Sequence, residues 1–174
     1  KNDLTSIIYP AIRELCVARN IKIHIVTGPG YINYDKLKNE IDNNKDKDEG
    51  LVTLTNATGI ISHIMEESQI AITSNGRTLY ELAHMNIPAI VVSHHKREST
   101  HNFACKENGF ITVGVFRKNH SEALITKQLI KLLDDVEYRR KLFERTTKYQ
   151  FNLNKNKVIQ KIISLLPSDE VDQH

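Results

Sequence analysis

A cluster of small polar residues, which reads SNGRT, follows a short β-branched run near the middle of the chain. It consists of Ser74, Asn75, Gly76, Arg77 and Thr78. Hydroxyl and amide side chains can donate hydrogen bonds to an anion, and glycine lets the backbone approach a ligand closely because it has no Cβ. A helix that begins at Thr78 would add free N–H groups and the positive end of its dipole. The pattern indicates a binding loop for a phosphate or pyrophosphate.

Glu81 lies one helical turn beyond Thr78 and would share its face of the helix. A carboxylate cannot favour a phosphate, but it can accept hydrogen bonds from the vicinal hydroxyls of a ribose. Phosphate donors followed by a ribose acceptor describe a site for a nucleotide diphosphate. A purely structural interpretation also fits, because Thr78 and Glu81 have the spacing of a helix capping box. The residues alone leave both interpretations open.

A second group of polar side chains follows the next apolar run. It contains His94, His95, Glu98, His101 and Cys105. If 98–107 is helical, His101 and Cys105 lie one turn apart, which is one arrangement for metal ligands. Zinc sites normally draw on well-defined ligand pairs with supporting partners, and these are absent from the pattern. We predict no metal and no cofactor, and we assign sugar contacts to His94, His95, Glu98 and His101.

The elements that must position these residues are read from hydrophobic periodicity. Strands are predicted at 21–27, 51–54, 70–73, 88–93 and 110–115. Helices are predicted at 4–19, 34–44, 58–67, 78–85, 98–107, 120–134, 135–149 and 154–166. Strands that alternate with helices and read as continuous apolar runs are typical of a parallel sheet with helices on both faces. The fold class is therefore α/β, a Rossmann-like parallel sheet with a helical C-terminus.

Length and charge restrict the function classes. The 174 residues suit a single domain, with an α/β core at 1–116 and C-terminal helices at 117–174. A net charge of +3, dispersed along the chain, gives no argument for nucleic acid. The apolar runs are too short to span a membrane, and membrane association is not expected. Two cysteines, Cys16 and Cys105, make no disulfide framework, so we predict a reduced, cytoplasmic location. The polar start without a methionine is typical of a domain excised from a larger protein or of a processed product.

The segments ITSNGRTLYELAHMNIPAIVVS (72–93) and HHKRESTHNFACKENGFITVGV (94–115) resemble the C-terminal half of GT-B glycosyltransferases. Within these, the chain looks most like the branch of the UDP-sugar hydrolase of pseudaminic acid synthesis and the spore-coat polysaccharide proteins. It is similar, too, to domains fused behind acylneuraminate (CMP-sialic acid) cytidylyltransferases. The resemblance covers about 1–116 and is strongest at 70–115.

The resemblance implies roles for particular residues. Its loop binds the nucleotide diphosphate, and its glutamate binds ribose, which places these roles on Ser74, Asn75, Gly76, Thr78 and Glu81. Relatives place a base-recognition loop at Thr55 and Asn56, and 1–5 resembles the end of a glycine-containing loop, so Thr5 is a further contact. The family's glycines and first strand would then precede this segment.

Arg77 departs from the family, where many relatives carry a small residue. It can pair with a pyrophosphate through two hydrogen bonds, or it can fill the pocket and abolish nucleotide binding. The relatives' general base belongs to the N-terminal half, and no Gly-x-Ser-x-Gly elbow occurs here. We therefore predict no catalytic residue and an inactive isolated domain.

Two functions remain as hypotheses. The first is a UDP-sugar-type nucleotide-sugar-binding domain of a hydrolase or glycosyltransferase in bacterial surface glycan biosynthesis, working with a missing N-terminal domain. The second is a non-catalytic oligomerisation or regulatory domain appended to a CMP-sialic-acid-type cytidylyltransferase. A homodimer is compatible with either.

Overall fold

A computed structural model describes residues 3–48, 50–56, 59, 61–150 and 154–164. The strands are β1 (Ile23–Thr27), β2 (Val52–Asn56), β3 (Ala71–Ser74), β4 (Ala89–Ser93) and β5 (Phe110–Val115). The helices are α1 (Leu4–Ala18), α2 (Tyr34–Asn44), α3 (Ile61–Glu66), α4 (Thr78–His84), α5 (His120–Asp134), α6 (Val136–Thr146) and α7 (Asn154–Ile163). Two short 3-10 turns, Glu98–Thr100 and Lys106–Asn108, stand where the sequence predicts a helix over 98–107. Residues 57, 58 and 60 lie outside the described residues, so the start of the predicted helix 58–67 falls partly outside them. The same is true of residues 165–166, at the end of the predicted helix 154–166.

The strands form two small parallel sheets. β1 pairs with β2, with Ile23 opposite Val52, and β3, β4 and β5 pair in that order. β4 is buried along its whole length because it is the central strand of the larger sheet. The arrangement confirms parallel strands flanked by helices, but they are divided between two sheets.

Helices cover both faces of the larger sheet, whereas His24 and Thr53 leave one face of the smaller sheet exposed. On one face, an apolar cluster joins α1 and α5 to alternate residues of the strands, including Ile90 and Val92 of β4. On the other face, α3 and α4 pack on Ala89 and Val91, the residues in between. This alternation follows from the strand pleat, which turns successive side chains to opposite faces. The fold is a Rossmann-like α/β fold with a helical C-terminus, as predicted.

Helix α1 is fixed at its start by Asp3. Its carboxylate accepts a hydrogen bond from the backbone N–H of Ser6 at 3.2 Å, which caps the helix. It also accepts hydrogen bonds from the Tyr31 hydroxyl at 2.9 Å and the Asn33 amide at 2.8 Å. Burial alone would raise the pKa of Asp3, but these donors stabilise the charged form and lower it. The cap therefore ties the start of α1 to the loop that follows β1.

A buried ion pair ties the middle of α1 to the loop that follows α2. The Arg13 guanidinium contacts the Asp48 carboxylate, which is 1% exposed. The Tyr9 hydroxyl donates to the same carboxylate at 3.4 Å. Burial, together with the Asp48 charge, raises the pKa of Tyr9 to about 12. Three polar groups thus tie α1 to the loop after α2.

Helix α7 presents an apolar face to solvent, formed by Val158, Ile159, Ile162 and Ile163, which are 42–56% exposed. These positions fall on one side of a helix. No helix in the described part of the chain is both long and apolar enough to cross a membrane.

Candidate functional site

A cleft of about 410 Å³ lies at the carboxyl ends of β3 and β4. Its walls are Asn75, Gly76, Arg77, Tyr80, His101, Asn102 and Phe103. They come from the loop between β3 and α4, the exposed side of α4 and the loop between β4 and β5. Ligands of parallel α/β sheets bind at this edge because the loops there open away from the strands. The structure therefore brings four predicted site residues together, namely Asn75, Gly76, Arg77 and His101.

Asn75 holds the two loops together. Its side chain is 3% exposed, and its amide donates to the backbone carbonyls of Glu98 at 2.9 Å and His101 at 3.2 Å. Both amide hydrogens are therefore used within the protein, whereas the sequence predicts that they face a ligand. The side-chain oxygen is buried and has no hydrogen-bond partner among the described residues. Asn75 thus positions the loop after β4.

We expect Asn75→Asp to destabilise the protein by about 2 kcal/mol, because a carboxylate cannot donate to the two carbonyls and each lost bond costs about 1 kcal/mol. Urea denaturation of the variant measures the loss. Asn102→Asp is the matched control, since Asn102 is exposed in the same cleft and makes no side-chain hydrogen bond among the described residues. Equal stability of the two variants would contradict the clamping role.

The predicted sugar contacts also brace the loop after β4. The His101 ring lies 3.1 Å from the backbone carbonyl of Asn75, measured from Nδ1. The Glu98 carboxylate accepts a hydrogen bond from the backbone N–H of His94 at 2.6 Å, and the Glu98 N–H donates to His95 Nδ1 at 3.3 Å. His94, His95 and Glu98 are not part of the cleft wall. The loop is therefore held by its own polar groups.

Gly76 and Arg77 form the polar end of the cleft. A Cβ added to Gly76 would meet only the Ser74 hydroxyl, at 3.8 Å, so packing within the protein does not require a glycine here. The position leaves open space beside the backbone. Arg77 is exposed and its side chain makes no ion pair with a described residue. Helix α4 has only seven residues, so the positive charge beside Gly76 comes mainly from the guanidinium. Arg77 forms part of the cleft wall and does not fill the cleft.

Ser74, Thr78 and Glu81 lie outside the cleft wall. Ser74 ends β3 and Thr78 begins α4, and both are half-buried. Glu81 is exposed on α4, whose core-facing side carries Leu79 and Leu82. Glu81 thus projects from the same two-turn helix as the cleft residue Tyr80, but not into the cleft.

Three predicted contacts remain, two at the smaller sheet and one in α1. At the end of β2, the Thr55 hydroxyl lies 2.7 Å from His24 Nε2, and the Asn56 side chain accepts a hydrogen bond from the Thr27 hydroxyl at 3.0 Å. Thr5 is half-buried in the first turn of α1. None of these three predicted contacts reaches the cleft wall.

An aromatic group that the sequence analysis missed forms the other end of the cleft. The rings of Tyr80 and Phe103 stack with centroids 4.4 Å apart, and Phe103 meets Tyr149 edge-on at 5.1 Å. Phe103 also packs on Phe110, the first residue of β5, at 5.7 Å. The signal in the sequence is weak: Tyr80 and Phe103 each lie two residues after a predicted binding residue, Thr78 and His101 respectively.

The structure does not place His101 and Cys105 on one helix, because 3-10 turns and irregular backbone replace it. Within 3–48, 50–56, 59, 61–150 and 154–164, no three His, Cys, Asp or Glu side chains are grouped closely enough to hold a metal ion.

Searches against protein-family models, curated proteins and solved structures found no match to this chain. The class of the protein is therefore set by its fold, which is Rossmann-like α/β with parallel strands in two sheets.

Proposed function

We propose that the chain binds a nucleotide sugar of the UDP type, with the diphosphate at Gly76 and Arg77. One observation carries the proposal: an arginine without an ion-pair partner among the described residues stands beside a glycine with open space, at the carboxyl end of a parallel sheet. A guanidinium can bind phosphate oxygens through two parallel hydrogen bonds, so Arg77 acts as the phosphate ligand.

The surroundings of Arg77 supply room for the rest of the ligand. A cleft of about 410 Å³ falls within the range for small-molecule sites, roughly 300–1,000 Å³. Glu81 stands one helical turn from Arg77. Glu81 lies outside the cleft wall, so a ribose attached to a diphosphate at Arg77 would extend beyond the cleft along α4 and donate hydrogen bonds from its hydroxyls to the Glu81 carboxylate.

Binding without turnover is the activity proposed for this chain alone. Besides Arg77, the cleft wall contains two ionisable side chains, Tyr80 and His101. The Tyr80 ring is stacked on Phe103, and the His101 ring is held against the carbonyl of Asn75. In a bilobal enzyme of the kind that the sequence resembles, this domain would orient the diphosphate leaving group, and a facing domain would supply the general base.

Calorimetric titration with UDP, UDP-GlcNAc and CMP tests the proposal. We expect micromolar binding of UDP, weakened about 10- to 100-fold by Arg77→Ala, because a charge-assisted hydrogen bond contributes about 1.5–3 kcal/mol. Glu81→Ala should also weaken the binding of UDP, because the ribose hydroxyls lose their hydrogen-bond acceptor. Arg140→Ala is the matched control, since Arg140 is an exposed arginine on α6 that pairs with Glu137 and Glu144.

The absence of binding by all three nucleotides would overturn the proposal. It would instead support a non-catalytic module for oligomerisation or regulation, of the kind appended to CMP-sialic-acid-type cytidylyltransferases, with Arg77 occupying a former pocket. Equal losses from Arg77→Ala and Arg140→Ala would show that binding depends on overall charge and not on the cleft.

A further inference from the structure

A break separates the two parallel sheets of this fold, and an unpaired strand edge borders it on each side. Within the described residues, β1 pairs only with β2, and β3 pairs only with β4. Backbone hydrogen bonds alternate between the two sides of a parallel strand. Because the N–H groups of Ile23 and Ala71 donate towards β2 and β4, those of their neighbours His24 and Ile72 point to the free edges.

Shared packing places the free edge of β1 on the side of β3. Ile23 of β1 and Ile72 of β3 pack against the same apolar cluster beneath α1. Val52 and Leu54 of β2 pack only against a different cluster, which Ile23 also joins. β1 is therefore the strand of its sheet that lies nearer to β3, and the order across the fold is β2, β1, break, β3, β4, β5.

Strands on the two sides of the break run in the same direction. The start of α1 is tied to Tyr31 and Asn33, which follow β1, so α1 runs antiparallel to β1. The loop at Arg117 joins β5 directly to α5, so α5 runs antiparallel to β5. α1 and α5 run parallel, because Arg19 near the end of α1 pairs with Asp134 at the end of α5. β1 is therefore parallel to β3, β4 and β5.

The usual spacings of helices and strands give the break a width of about one strand. Helix α5 contacts β4 and β5, and α1 contacts α5 on one side and β1 on the other. Packed helices lie about 8–10 Å apart and paired strands about 4.8 Å apart, so each helix covers about two strand positions. If α5 covers β4 and β5, then α1 covers β3 and one further position before β1 is reached.

We propose that this position binds one extended polypeptide strand, parallel to its neighbours, that leads into the start of α1. Such a strand would pair with β1 on one side and β3 on the other, as in β-strand addition. Helix α1 covers one face of this position, whereas His24 on the other face of β1 is exposed, so the occupant is an extended run whose residues towards α1 are aliphatic and β-branched. A strand ending at Asp3 and continuing through α1 to β1 makes an ordinary parallel crossover.

Hydrogen exchange tests this inference with two extended chains. One carries about five valine and isoleucine residues and a short Gly/Ser loop ahead of residue 1, and its control carries a Gly/Ser extension of equal length. We expect the aliphatic extension to slow exchange of the edge amides by about 100-fold. These amides belong to His24, Val26, Ile72 and Ser74.

Ile25 and Thr73 provide an internal reference, since their amides point to β2 and β4 and are already paired. The urea midpoint should rise with the aliphatic extension alone, in a species that light scattering shows to be monomeric. Equal exchange in the two extended chains would overturn the proposal. So would protection confined to β1 or to β3, because a strand within the break must pair with both.

Discussion

Gly109→Ala should lower the free energy of unfolding by about 3 kcal/mol. Gly109 has a φ of +87°, and a left-handed conformation costs a residue with a Cβ about 1–2 kcal/mol. A Cβ there would stand 2.4 Å from Thr146 Cγ2 and 2.6 Å from the Leu142 carbonyl oxygen. Both atoms belong to α6: the first is in a fully buried side chain and the second is in the helix backbone. Neither can turn aside, so α6 would have to move, and this overpacking adds about 1–3 kcal/mol. Urea denaturation measures the change.

Gly114→Ala separates the two causes. Gly114 has a φ of +80°, but a Cβ added there would meet nothing within 4 Å. It should lose only the conformational part, about 1–2 kcal/mol. If the two variants lose equal stability, the contact between α6 and the start of β5 is not as close as described.

Asp48→Leu should destabilise the protein by about 2–4 kcal/mol, because it leaves the Arg13 charge, on a side chain that is 16% exposed, without its buried partner. The Tyr9 hydroxyl loses its acceptor in the same variant. Chemical denaturation of the single and double variants measures the effect. In the double variant R13M/D48L no charge remains, and most of the stability should return.

Additive losses in that double variant would contradict the prediction, since they would mean that the two charges do not interact. Glu137→Gln is the surface control. It removes an exposed ion pair with Arg140 on α6, and we expect no measurable change in stability.

The elements most visible in the sequence are those whose packing repeats the local pattern. The helical spacing of five apolar residues predicts α1, namely Leu4, Ile7, Ile8, Ile12 and Leu15. Of these, Leu4, Ile8 and Ile12 are buried, and Ile7 and Leu15 are partly buried against the same core. The continuous run of β4 predicts a strand covered on both faces, and each of its residues is buried. Local periodicity is sufficient where one element meets one continuous core.

The predicted helix over 98–107 is wrong because tertiary contacts take its backbone acceptors. The carbonyls of Glu98 and His101 accept hydrogen bonds from Asn75, more than twenty residues earlier in the chain. The Thr100 hydroxyl donates to the Arg97 carbonyl and the Ser99 hydroxyl to that of Lys96, which stabilises tight turns. No local pattern contains the Asn75 contacts.

The candidate site was partly visible in the sequence. Glycine and arginine at a strand end indicate an exposed polar loop, and Gly76 and Arg77 do line the cleft. The direction of each side chain was not predictable, because it depends on which loop lies opposite. Asn75 faces the neighbouring loop, and the aromatic wall depends on a contact between Phe103 and Tyr149 that only the folded chain creates.

That aromatic contact also bears on how the chain can be trimmed. Tyr149 follows the last turn of α6, and its ring supports Phe103, which in turn supports Tyr80 in the cleft. Cutting the polypeptide after β5 would remove this prop as well as Leu142 and Ile125 from the apolar interior. The smallest fragment that can keep the cleft in shape must therefore extend through Tyr149, although the strands end more than thirty residues earlier.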